Sequence, residues 1–202
     1  MSRVGRRPRV NPFSTRFVQP GAIPFRFPTF PSPDGLAALV LRLGETRGWG
    51  QIIGPHGSGK STLLAALLPV LSDWRVCHIK LNTTDRRLLP EVFDPPKPGA
   101  LLVIDGFEQL GFLSRWRVKR HCRKHGCGLL VTAHTSMGLP DLYRTAVTPR
   151  AAAEVVAELA PESSTDFAGF LDGFDIPARL RAHHGSLREV LFELYDRWEA
   201  GM

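Results

Sequence analysis

The feature that most narrows what this chain can become is the run Gly54-Pro55-His56-Gly57-Ser58-Gly59-Lys60-Ser61-Thr62, which fits the pattern G-x-x-x-x-G-K-[ST]. The apolar run Gln51-Ile52-Ile53 leads into it as a strand would, and Leu63 to Leu68 leads out of it as a helix would. A strand, a glycine turn and a helix in that order bring successive backbone N–H groups together at the positive end of the helix, where they form a nest for an anion. The glycines at 54, 57 and 59 permit so tight a path. The pattern then has Gly54, Gly57, Ser58 and Gly59 wrapping the phosphates of a nucleotide and Lys60 reaching the β- and γ-phosphates. Ser61 places its hydroxyl on Mg²⁺, and Thr62 lies near the α-phosphate. A chance match in a loop is the alternative, and the flanking strand and helix argue against it.

A second run, Ala100-Leu101-Leu102-Val103-Ile104-Asp105, is continuously apolar, as a strand buried on both faces must be, and closes on a carboxylate. Between it and the glycine loop lies one more strand, Arg75 to Leu81, ending in the polar cluster Asn82-Thr83-Thr84-Asp85, with an irregular, proline-rich stretch over 86–99. Gly128-Leu129-Leu130-Val131-Thr132-Ala133-His134 is a further buried strand with polar residues at its carboxyl end, the edge at which open α/β sheets place ligands. Tyr143 to Val147 reads as a fifth strand and Pro149 to Leu159 as a helix.

The glycine loop resembles the Walker A motif of the P-loop NTPases, and the strand ending at Asp105 resembles their Walker B motif, whose Asp shares Mg²⁺ with the loop hydroxyl. The likeness spans Gln51 to Arg188 and points to the additional-strand division, in an AAA+-like form. It implies a three-layer α/β/α sandwich with a central parallel sheet of about five strands and a small C-terminal helical lid. Residues 1–33 would form a basic, then Pro/Phe-rich N-terminal segment, 34–161 the NTPase core and 162–202 the lid. In many such ATPases a Glu directly after the Walker B Asp polarises the attacking water; here that place is Gly106, and Glu108, in a D-G-x-[DE] arrangement, is the candidate base. The alternative is a solvated Glu108 in the first turn of the next helix. By the same resemblance Thr132 or His134 occupies the sensor 1 position, with His134 preferred because an imidazole can hydrogen-bond a phosphate oxygen. Arg144 stands roughly where an arginine finger is placed in some relatives, with a surface salt bridge as its alternative. Gly185-Ser186-Leu187-Arg188 resembles the sensor 2 signature and assigns Arg188 to the γ-phosphate. No LSGGQ-like segment and no NKxD motif is present, which argues against ABC transporters and GTPases.

Lys and Arg number 26 against 19 Asp and Glu, a net charge of +7, so an acidic partner is plausible. The most basic segment is a helix over 113–125 with Arg115, Arg117, Lys119, Arg120, Arg123 and Lys124 around it and Leu113, Trp116 and Cys122 as a narrow apolar stripe. It is either a solvated outer face or a contact for DNA, RNA or an acidic protein. His121, Cys122, His125 and Cys127 lie close together but match no zinc spacing, so they read as packing. Residues 1–12, with Arg3, Arg6, Arg7 and Arg9, read as a mobile tail or a nucleic-acid-binding arm. Phe13 to Pro33 reads as an extended segment whose rings tuck against the domain; the resemblance implies that one of them stacks on adenine, as aromatics upstream of the loop do in some relatives, with ordinary packing as the alternative. Ser32-Pro33-Asp34 starts a helix that stops by Gly48. Toward the C-terminus, Ser163 or Ser164, Asp175 and Ser186 each cap a short helix.

With no apolar leader, no run long enough to span a bilayer and an odd three cysteines, the chain reads as cytoplasmic and not membrane-bound. The expected activity is ATP binding with slow Mg²⁺-dependent hydrolysis, used as a switch or motor step. The rivals are a small-molecule or nucleoside kinase, and a nucleic-acid-binding module that holds ATP without hydrolysing it.

Overall fold

The computed structural model describes residues 10–27, 32–82, 99–160 and 167–201. Its centre is a sheet of five strands, β1 (Trp49–Ile53), β2 (Arg75–Lys80), β3 (Ala100–Asp105), β4 (Gly128–Ala133) and β5 (Asp141–Arg144), in the order β2-β3-β4-β1-β5. All pairs are parallel, with Val103 opposite Leu130 and Ile52 opposite Thr132. Parallel neighbours need crossover helices, and those helices cover both faces of the sheet. β4 is inserted between β3 and β1, so the strand that carries the glycine loop and the strand that ends at Asp105 are not adjacent. A gap one strand wide therefore separates the two motifs at the carboxyl edge, and the side chains at the end of β4 fill its floor.

The apolar strands alternate between the two layers. Leu101 and Val103 of β3, Leu130 of β4 and Ile52 of β1 pack with Leu39 and Leu43 of α2 (Ser32–Glu45) and Leu63, Leu64 and Leu67 of α3 (Lys60–Leu67). Leu102 and Ile104 of β3 and Leu129 and Val131 of β4 point the other way, onto Val118 and Cys122 of α4 (Phe112–His125). This is the period-2 consequence of burying both faces of a strand. The stripe expected on α4 is corrected here: Leu113 and Trp116 are 67% and 53% exposed, and Val118 with Cys122 is the buried face. Four residues separate 118 from 122, one helical turn. The Cys122 thiol, buried and hydrogen-bonded to that of Cys127, is pushed well above its ordinary range. These sulfurs are core packing, and among the described residues no cluster of three or more His, Cys, Asp or Glu is arranged to hold a metal.

A third apolar cluster joins α5 (Pro149–Glu158), α6 (Phe167–Leu171), α7 (Ile176–Ala182) and α8 (Leu187–Gly201) through Ala152, Val156, Phe167, Leu180, Val190, Leu194 and Trp198. Packing thus puts α5 with the C-terminal helices, although the sequence groups it with the core. The helices are capped as their sequences require: Thr148 Oγ1 accepts from Ala151 N and Asp175 Oδ1 from Ala178 N, each with Pro just inside the helix. Asn11 and Pro12, expected in a mobile tail, are buried. Phe13, 1% exposed, inserts among Phe167, Phe170 and Trp198, and Asn11 Nδ2 donates to Tyr195 O (3.2 Å) and Glu199 Oε1 (2.7 Å). A short helix, α1 (Thr15–Val18), follows it. Arg3 to Arg9, Pro28 to Pro31, Thr83 to Pro98 and the serines at 163 and 164 lie outside the described residues. Among the described residues, no helix is long and apolar enough to cross a membrane.

Candidate functional site

The glycine loop leaves β1 at Ile53 and enters α3 at Lys60, as the strand and helix signals predict. Gly57 and Gly59 take φ of +66° and +90°, the left-handed region that an L side chain rarely enters. Gly54 is needed for space instead: a Cβ there would lie 2.2 Å from Thr145 Oγ1 and 2.5 Å from Thr145 O. Thr145 follows β5, and its hydroxyl also meets Ser58 Oγ at 2.6 Å, so the strand after β1 in the sheet pins the loop from below. Nothing in the sequence marks Thr145, because the contact depends on which strand flanks β1.

Lys60 is buried, and its Nζ donates to the carbonyls of Gly54 (2.7 Å) and Pro55 (2.6 Å) and to His134 Nδ1 (3.1 Å). Burial lowers its ammonium from 10.5 to about 8, with Arg188 pushing the same way and Glu108 and Asp105 opposing. Arg188 is thus close enough to be felt electrostatically at Lys60. At the start of α8 its Cβ and backbone N come within 3.0 and 3.1 Å of where a Gly57 side chain would begin.

Ser61 and Asp105, 44 positions apart, meet: Ser61 Oγ donates to Asp105 Oδ1 at 3.1 Å. Thr132 Oγ1 donates to the same oxygen at 2.5 Å and accepts from Gly106 N at 2.9 Å. Thr132 reaches Asp105 because β4 lies next to β3, so this side chain orients the carboxylate. Gly106 has φ of +84°, and a Cβ there would strike Leu81 O at 2.8 Å. That left-handed turn explains the absence of a Glu at 106. It leads into the short turn Phe107–Gln109, which carries Glu108 back over the gap.

Glu108 Oε1 lies 2.8 Å from His134 Nε2, and the side chain is only 19% exposed, so it is not a solvated helix residue. Burial and the charge of Lys60 hold His134 below its usual value, against the opposing pull of Glu108, so the imidazole is neutral at pH 7. Its partners select one tautomer: Nε2–H donates to Glu108, and Nδ1 accepts from Lys60. The interaction with Glu108 is therefore a hydrogen bond to a carboxylate rather than an ion pair. Glu108 Oε2 is buried with no hydrogen-bond partner among the described residues. The His56 ring lies against His134, with centroids 3.5 Å apart; the sequence pattern leaves this position free, so it carried no signal. Phe25, an aromatic of the N-terminal segment, lies beside the loop, 3.4 Å from where a Gly59 side chain would begin, and packs edge-on with Phe27 and Tyr143. Arg144 is the last residue of β5, and it pairs with Asp141 at 2.5 Å while 69% exposed.

No protein-family model matches the chain, and no curated protein sequence matches it. Among solved structures it is similar to Cdc6p from Pyrobaculum aerophilum, with a TM-score of 0.54 and 18% identity over 94% of this chain and 66% of that one. NtrX from Brucella abortus, solved in complex with ATP, gives a TM-score of 0.47 and 13% identity over 83% of this chain and 49% of that one. The chain spans just under two thirds of the Cdc6p chain and about half of the NtrX chain. The likeness to Cdc6p is one of fold: a three-layer α/β/α sandwich around a five-stranded parallel sheet, with the strand order given above.

Proposed function

We propose that this chain binds ATP with Mg²⁺ and hydrolyses it slowly to ADP and phosphate, the cycle serving as a switch or mechanical step. The observation that carries the reading is the 3.1 Å contact between Ser61 Oγ and Asp105 Oδ1 at the mouth of the loop. Two oxygens on adjacent corners of an octahedron with metal–oxygen distances of about 2.1 Å are about 3 Å apart, so this pair fits Mg²⁺. When bound, Mg²⁺ neutralises charge on the β- and γ-phosphates.

The remaining work falls to the chain. The loop amides and Lys60 hold the phosphates, and the carbonyls of Gly54 and Pro55 keep the ammonium at the loop mouth until an anion arrives. Thr132 fixes the orientation of Asp105. Glu108 accepts a proton from the attacking water at Oε2, its one unpartnered oxygen, while His134 holds Oε1 in place. Because His134 also bonds Lys60, a change at the terminal phosphate is transmitted to the base through one imidazole. Arg188 adds positive charge from the lid.

The test is phosphate release from purified protein with ATP and Mg²⁺, compared with Glu108→Gln. The substitution keeps ATP binding and slows turnover about 10²-fold, the usual worth of a general base. An unchanged rate removes Glu108 from the reaction, and failure of the native chain to bind ATP overturns the proposal.

A further inference from the structure

The basic helix α4 divides its cations into two sets. Arg115 and Lys119 turn inward, Arg115 Nη1 to Met137 Sδ at 3.2 Å and Lys119 Nζ to the Met137 carbonyl, and so fasten the loop after β4. Arg117, Arg120, Arg123 and Lys124 are exposed and form no ion pair among the described residues. The helix contains no Asp or Glu to balance them. On the same face stand Phe112, Leu113 and Trp116, 75%, 67% and 53% exposed. At 100° per residue these seven positions fall within one arc of about 140°. Leaving three large apolar groups wet costs hydrophobic free energy with no return inside the fold, so the face is unpartnered.

We infer that this face of α4 binds single-stranded nucleic acid, its cations following the phosphates and Trp116 and Phe112 stacking on bases. The argument is one of complementarity. Four unpaired cations beside exposed rings match a strand that offers regularly spaced negative charge and open base faces. A duplex offers the charge but keeps its base faces stacked, so the apolar end of the strip would gain nothing. The Arg120 guanidinium lies 5.6 Å from the Trp116 centroid, which orders one side of the indole and leaves the other for a base. Arg123 is held in the same way over Trp49, at 5.3 Å. The strip begins at Phe112, three residues after the turn Phe107–Gln109 that carries Glu108, so its aromatic end lies at the carboxyl edge of the sheet.

The test uses the full chain without nucleotide, so its failure leaves the ATPase reading standing. Fluorescence anisotropy would follow labelled dT20, rU20 and a 20-base-pair duplex at low salt. Both or either single strand binds at least tenfold more tightly than the duplex, and a preference between the two identifies DNA or RNA. Trp116→Ala weakens binding about 5- to 150-fold, the worth of one base stack, and Trp116→Phe restores most of it. Arg120→Glu with Arg123→Glu lowers the slope of log affinity against log salt by about 1.4, or about 0.7 per phosphate contact. All of these positions are exposed, so circular dichroism and melting should match the native chain. No binding of either strand, equal affinity for the duplex, equal competition by polyglutamate, or an unchanged affinity in Trp116→Ala overturns the inference.

Discussion

Gly57 is where the glycine loop touches the start of α8, and replacing it with alanine separates two costs that the geometry makes calculable. The residue has φ of +66°, so any side chain costs about 1 kcal/mol in backbone strain. The new Cβ would also lie 2.3 Å from Ser186 Oγ, well inside contact, with Arg188 Cβ next at 3.0 Å. Relief requires the Ser186 hydroxyl to swing away and give up its 3.5 Å bond from Glu189 N, a weak cap worth at most about 1 kcal/mol. The total is about 2 kcal/mol, or about 4–8 °C in Tm for a chain of this size. Urea and thermal melts of Gly57→Ala, Ser186→Ala and the double variant form a cycle. Ser186→Ala alone costs about 0.5–1 kcal/mol, and because it removes the clashing oxygen the double variant is more stable than the sum of the two by about 1 kcal/mol. Additivity within about 0.5 kcal/mol would refute the contact between the glycine loop and the start of α8.

Two further outcomes follow from the same site. Burial holds Lys60 at about 8; in the proposed function it binds phosphate in its charged form, and a bound phosphate would raise its value again. ATP affinity is therefore flat below pH 8 and falls about tenfold per unit above it until the value of the bound state is reached. Calorimetric titrations showing no decline by pH 9.5 would contradict this. Thr132→Val removes the acceptor of Gly106 N and one donor to Asp105, and it should cost about 1–3 kcal/mol in urea melts while weakening Mg²⁺-dependent ATP binding. A loss below about 0.5 kcal/mol would deny Thr132 its bridging role.

Much of this arrangement is legible in the chain because the strongest signals are local. The glycine loop dictates its own turn, and the buried strands announce themselves as apolar runs, so β1, β3 and β4 fall where the sequence places them. β5 starts two residues earlier than expected, at Asp141, because buried Gln51 pairs with the Asp141 carboxylate at 2.5 Å and draws that residue into the strand edge. The face of α4 is misread for a different reason: an exposed Trp and Leu look like core to any rule that equates apolar with buried. Contacts made between strands stay hidden in a one-dimensional pattern. Thr132 on Asp105, Thr145 on Ser58 and His56 on His134 depend on the order of β3, β4, β1 and β5. Glu108 is an intermediate case, since the glycine before it hints at a turn, but only the path of that turn brings the carboxylate to His134.

Calorimetric titration of ATP into the native chain and Lys60→Ala, each with Mg²⁺ and with EDTA, addresses the central claim most directly. Tight binding by the native chain in Mg²⁺, marked weakening in EDTA and near-complete loss in Lys60→Ala are the predicted results. Near-native affinity in Lys60→Ala, or equal affinity with and without Mg²⁺, would contradict a nucleotide held by this loop and a metal shared between Ser61 and Asp105.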